Sequence, residues 1–139
     1  MSLLRPDFTV ARLNQDAADC LPGHLGVEFL TLEQGRATSR MVIRPVHLAP
    51  NGRLHAASLI ALADTTTGHA TMSHLPEGAR SFATIELKSN HLGTLVEGAI
   101  TCLATAQHLG RTTQVWDAVV RDEATGRELV LYRCTQMIL

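Results

Sequence analysis

Apolar residues change their period several times along the chain, and each change predicts an element. Phe8, Val10, Leu13 and Ala17 recur at helical spacing behind Pro6-Asp7, and Pro22-Gly23 is read as the stop of this short outer helix. From Leu25 to Arg44 the period becomes two, with Arg36, Thr38 and Arg40 on one side and Ala37, Met41 and Ile43 on the other. Two strands around the turn Glu33-Gln34-Gly35 are expected. Pro45 to Arg53, which contains Pro50-Asn51-Gly52, reads as a loop. A helix then begins near His55, with Leu59, Leu62, Ala63, Thr66 and Ala70 as one stripe. Ile60 and Ala61 leave it little polar surface, so it is expected to be buried nearly all round. Beyond Pro76-Glu77-Gly78 come four alternating stretches, Ser81 to His91, Val96 to Ala106, Thr112 to Asp122 and Arg127 to Ile138. They are separated by Gly93, a turn at Gly110, and Ala124-Thr125-Gly126. An antiparallel meander against one buried helix makes an α+β domain, and a sheet curved around that helix would cover it best.

One residue breaks the apolar pattern. Asp64 lies inside the stretch His55-Ala-Ala-Ser-Leu-Ile-Ala-Leu-Ala-Asp64, although Asp is a poor helix former and a carboxylate seldom enters an apolar interior unpaired. A reactive carboxylate and a structural one held by backbone N–H groups are the two readings. Nine residues at ~100° each put His55 and Asp64 about two and a half turns apart, on opposite faces of one helix. Either they are unrelated, or His55 at the helix entrance meets the Asp64 of a second, symmetry-related copy.

Size and charge narrow the function. The 139 residues suit one domain spanning 1–139, with residues 1–22 as a helical N-terminal segment and 25–139 as the core. Twelve Lys and Arg against thirteen Asp and Glu, scattered without a stripe, offer nothing to nucleic acid. No apolar run approaches the ~18 residues that span a bilayer, and no signal-peptide core is seen, so no membrane association is expected and a cytoplasmic protein is. Cys20, Cys102 and Cys134 are few and far apart, which fits buried thiols in a reducing compartment. The histidines His24, His47, His69, His74 and His108 form no familiar zinc spacing, so no metal is expected. Trp116, on an alternating strand, is assigned to the core.

The run Pro50-Asn51-Gly52-Arg53-Leu54-His55-Ala56-Ala57 followed by Leu62-Ala63-Asp64 resembles the hotdog-fold acyl-CoA thioesterases of the PaaI and 4-hydroxybenzoyl-CoA or menaquinone-biosynthesis type. Their pattern is Gly-x-x-His-Gly-Gly and then Leu-Ala-Asp or Leu-Ala-Glu. The likeness continues through Ile85-Glu86-Leu87-Lys88-Ser89-Asn90-His91, the turn His108-Leu109-Gly110-Arg111, and Gln114-Val115-Trp116. The resemblance implies a homodimer, commonly doubled to a homotetramer as a dimer of dimers, with active sites at the dimer interface and no cofactor. It also implies acyl-CoA as the partner molecule, hydrolysed to free acid and CoA, with a small aryl or short to medium acyl group. Carried over residue by residue, Asp64 is nucleophile or general base, the Ala56 backbone N–H polarises the thioester carbonyl from the other subunit, and His55 orients the substrate or its loop. Asn51, Thr67, His91, Gly110 and Arg111 are the implied substrate-binding residues, with His91 and Arg111 toward the phosphates and nucleotide.

Three departures from that pattern stand out. Ala56-Ala57 replaces the Gly-Gly pair and adds methyl groups where the acyl group approaches. Ala49 stands where many relatives place Asn or Gln, leaving Asn51 or His47 to take that part. Gly68 stands where relatives with a Glu base often carry Ser or Thr, with Thr67 adjacent. Threonines in a buried helix commonly bond back to the preceding turn, which is the competing reading of Thr67. The departures keep a second function open, a non-catalytic acyl-CoA binding or sensing protein on the same fold.

Overall fold

The computed structural model describes residues 3–139; the first two residues of the expected N-terminal segment lie outside the described residues. Helix α1 runs Val10–Ala17 and buries Leu13 and Ala17. It starts later than Pro6-Asp7 suggested, because Thr9 caps it by accepting the Arg12 N–H at 3.2 Å. Pro22-Gly23 does not stop this helix. Both residues belong to a second short helix, α2, Leu21–Leu25, where Pro22 occupies the first turn and needs no N–H. A Cβ at Gly23 would run into the Ala17 and Ala18 carbonyls, so glycine lets α2 fold back on α1. Gly26, at φ 82, ends α2.

Strands β1 (Glu28–Glu33) and β2 (Arg36–Val42) form the expected hairpin, with Gly35 at φ 69 in the turn. Ala37, Ser39 and Met41 alternate inward on β2. The loop that follows makes a 3-10 turn at Pro45–His47 and a bridge between Leu48 and Leu54. It leads into α3, Ala56–Ser73.

The remaining strands are β3 (Phe82–His91), β4 (Ala99–Leu109), β5 (Thr113–Asp122) and β6 (Glu128–Ile138). All pair antiparallel in one six-stranded sheet of order β1-β2-β4-β5-β6-β3. The meander holds for β4 to β6, but β3 pairs with β6 at the far edge rather than with β4. The reason is the link, residues 92–98, which crosses beneath the entrance of α3 instead of turning tightly. Leu92 N–H donates to the Leu129 carbonyl, Leu54 N–H to Leu95, and Ile43 N–H to Gly98, so the link is tied in succession to β6, the helix loop and the end of β2.

The sheet curves around α3, whose Leu59, Leu62, Ala63, Thr66 and Ala70 are all buried. Trp116 is fully buried, as expected. Its Nε1 donates to Gln114 Oε1 at 3.0 Å, Gln114 Nε2 donates to the His74 carbonyl at 2.8 Å, and the His74 ring meets the indole edge-on at 5.3 Å. The helix is not buried all round. Ile60, Ala61, Asp64, Thr65, Gly68, His69 and Met72 form a half-buried stripe along its length, because six strands of a single chain cover only the opposite side. Cys102 and Cys134 are buried thiols, whereas Cys20 is exposed between the two short helices, contrary to expectation.

Candidate active site

Asp64 sits midway along the half-buried stripe of α3. Its Oδ1 accepts the Tyr132 hydroxyl at 2.9 Å, while Oδ2 makes no hydrogen bond among the described residues. No backbone N–H holds the carboxylate, so the structural reading of Asp64 finds no support in its partners. Beside it opens a cleft of about 300 Å³ walled by Leu21, Pro22, Met72 and Phe82. Gly68 and His69 line the same cleft. The cleft is thus mainly apolar, with one carboxylate at its wall, an arrangement suited to an acyl group whose carbonyl must meet a base or nucleophile.

His69 Nδ1 faces the Thr65 carbonyl at 3.0 Å and therefore donates to it, and its ring packs on Phe29 at 4.7 Å. Burial holds this imidazole below the usual histidine range, which keeps it neutral.

The entrance of α3 is built by His55. As N-cap it adopts an extended backbone, and its Nδ1 accepts the Ala57 N–H at 2.9 Å. Nε2 is then the protonated nitrogen of the neutral ring and is exposed. Ser58 N–H is taken by the His55 carbonyl at 2.9 Å, leaving the exposed Ala56 N–H without a partner among the described residues at the positive end of the helix. Ala56 and Asp64 are eight residues apart, about 12 Å of helix rise, too far to act on one carbonyl within one chain.

The other expected site residues divide. Asn51 is exposed in the loop before α3, its Oδ1 accepting the Arg53 N–H at 3.1 Å. His91 ends β3 and pairs in register with Val130, and its Nε2 bonds Ser89 Oγ at 3.0 Å. Gly110 and Arg111 occupy the β4–β5 turn, where Gly110 N–H donates to the Thr113 carbonyl at 2.9 Å. Thr113 pairs with Met137, so His91 and Arg111 stand at opposite ends of the sheet, about 23 Å apart along β6. One chain does not bring them together.

Thr67 turns inward: its side chain is fully buried, and its hydroxyl donates back to the Ala63 carbonyl at 3.0 Å and to the Asp64 carbonyl at 3.2 Å, the local bonds that compete with any outward role. His47 is likewise committed: Nδ1 accepts the Arg44 N–H at 2.9 Å and Nε2 donates to Leu25 at 2.8 Å, so it cannot stand in for the side chain absent at Ala49. Tyr132 was missed by sequence reasoning. The available signals were its being the sole tyrosine of the chain and its place in the buried alternation Val130, Tyr132, Cys134, Gln136 on β6. No group of three or more His, Cys, Asp or Glu gathers to hold a metal among the described residues, and no helix there is long and apolar enough to cross a membrane.

A carboxylate on one long helix, wrapped by a curved antiparallel sheet and set against an apolar cleft, defines the architecture of hotdog thioesterases. Residues 51–128 match the family model of the thioesterase superfamily, and the chain belongs to that family. It is 30% identical over 111 residues to a 1,4-dihydroxy-2-naphthoyl-CoA hydrolase of Listeria monocytogenes, covering 80% of this chain and 89% of that one. It is 32% identical over 117 residues to the proofreading thioesterase EntH of Klebsiella pneumoniae, covering 84% and 85%. A crystal structure of a mutant thioesterase PA1618 from Pseudomonas aeruginosa superposes with a TM-score of 0.92 at 28% identity, over 99% of each chain. The protein is a thioester hydrolase of hotdog fold.

Proposed function

We propose that this thioesterase hydrolyses a small aryl or short to medium acyl-CoA to the free acid and CoA, with Asp64 as the reacting carboxylate. The observation that carries the proposal is the unpartnered Oδ2 of Asp64 at the wall of an apolar cleft. Oδ2 either attacks the thioester carbonyl, expelling CoA thiolate and leaving an anhydride that water opens, or takes a proton from the water that attacks. The oxyanion is met by the Ala56 N–H of a second copy, and His55 Nε2–H is available to orient substrate. The ~12 Å between Ala56 and Asp64 along one helix supports a homodimer with sites shared between chains, as does the uncovered edge strand β3, where Ile85 and Leu87 are 53% and 39% exposed. In such a dimer the opposite ends of two sheets meet, which would let His91, Asn51, Gly110 and Arg111 serve one CoA. A dimer of dimers, the assembly the resemblance implies, and a cytoplasmic location complete the proposal. The relative named for dihydroxynaphthoyl-CoA hydrolysis supports an acyl-CoA substrate, and the relative named a proofreading thioesterase supports thioester hydrolysis.

The test is steady-state hydrolysis across aryl and straight-chain acyl-CoA thioesters, with Asp64→Asn beside the parent. The variant is expected to stay folded and to lose at least ~100-fold in rate on the best substrate. A folded Asp64→Asn protein that turns over near the parent rate removes Asp64 from the chemistry.

A further inference from the structure

We infer that Tyr132 is the positioning residue for the reacting carboxylate: its hydroxyl fixes Asp64 Oδ1 and leaves Oδ2 as the oxygen presented to the thioester. This rests on the proposed role of Asp64. A carboxylate on a helix face can rotate about its last bond and exchange its two oxygens unless something distinguishes them. The helix supplies nothing here. One turn beyond Asp64 stands Gly68, without a side chain, and a Cβ there would lie 3.2 Å from Phe82 Cζ, so the cleft wall is packed around that absence. The neighbouring Thr67 hydroxyl turns back onto the Ala63 and Asp64 backbone carbonyls, at 3.0 and 3.2 Å, rather than onto the carboxylate.

The sheet supplies the donor instead. Tyr132 lies on the inward face of β6, in register with Ala118 of β5 and Ser89 of β3, and is only 3% exposed. Its ring is therefore held by core packing, and its one polar atom ends 2.9 Å from Oδ1. Burial pushes the phenol well above its ordinary range, so it remains protonated and donates at every pH at which the enzyme would be assayed. A charge-assisted bond from a rigid, buried donor fixes both the orientation of the carboxylate and which oxygen is free.

Tyr132→Phe deletes the oxygen and keeps the ring. The expected result is a fall in kcat of about 10- to 100-fold with KM for the acyl-CoA little changed. In an Asp64→Asn background the same change should cost nothing further, since Tyr132 acts through Asp64. Equal losses in both backgrounds, or a parental kcat in Tyr132→Phe, would overturn the assignment. Because Tyr132 is the sole tyrosine, growth on 3-fluorotyrosine labels this position alone. Its fluorine resonance should shift between the parent and Asp64→Asn; an unchanged resonance also overturns the contact. The two readings fail separately. An active Asp64→Asn protein sinks the role of Asp64, whereas an inactive Asp64→Asn beside a fully active Tyr132→Phe sinks only the role of Tyr132.

Discussion

Replacing Ala56 by proline tests the proposed oxyanion donor with little else disturbed. Most backbone N–H groups cannot be deleted without breaking a hydrogen bond, but this one makes none among the described residues. Ala56 is the first residue of α3, where proline's fixed φ suits the helix and its missing N–H costs no helical bond. Proline also restricts the residue before it to extended backbone, and His55 already lies at φ −68 and ψ 138. The substitution should therefore change stability by no more than about 1 kcal/mol. Its effect on the reaction should be far larger. A single donor to a developing oxyanion contributes roughly 2.7–4 kcal/mol, so kcat should fall about 100- to 1,000-fold. The adjacent N–H groups cannot take over, since Ala57 is held by His55 Nδ1 and Ser58 by the His55 carbonyl. Release of the CoA thiol can be followed with a thiol reagent, correcting for the exposed Cys20, and thermal unfolding run in parallel. If Ala56→Pro unfolds like the parent and keeps kcat within about twofold, the Ala56 N–H is not the oxyanion donor.

Two further outcomes follow from the same geometry and from the buried histidines. Mixing inactive Ala56→Pro and Asp64→Asn homodimers under subunit exchange should restore about a quarter of parental sites, because half the dimers would be mixed and each would hold one intact site; confirmed heterodimers that stay inactive would place each site within one chain. Burial holds His47 and His74 below the usual histidine range, with His47 Nδ1 accepting from Arg44 and His74 Nε2 accepting the Gly35 N–H at 2.8 Å. The unfolded chain then binds protons that the folded one refuses, so stability should be full above about pH 6.5 and fall as pH drops through the depressed folded values. A urea midpoint that is unchanged or higher at pH 5.5 than at pH 7.5 would contradict this.

Much of the fold was legible because its signals are local. The period-two stretches of β1, β2 and β4 to β6 and the apolar stripe of α3 follow from which side chains can face a core, and Asp64 stood out because it interrupts an otherwise apolar helical stretch. The N-terminal helices were misplaced because Pro22-Gly23 is a stop signal in isolation; its actual use, opening α2 against the carbonyls of α1, depends on how the two helices fold together. The neighbour of β3 was misjudged for a related reason. Alternation fixes which face a strand buries but carries no information about which edge it joins, and that was decided by the path of residues 92–98 across the sheet end.

The candidate site divides along the same line. That a carboxylate lies nine residues after a histidine at a helix entrance is written in the chain itself, since residue identity and helical spacing are local properties. Which groups surround that carboxylate emerges from packing. Packing turned Thr67 and His47 inward onto backbone partners, parted His91 from Arg111 along the length of β6, and brought Tyr132, 68 residues away, to within 2.9 Å of Asp64. Hydrogen bonds between residues that distant depend on strand register and sheet curvature, which arise only when the whole core packs at once.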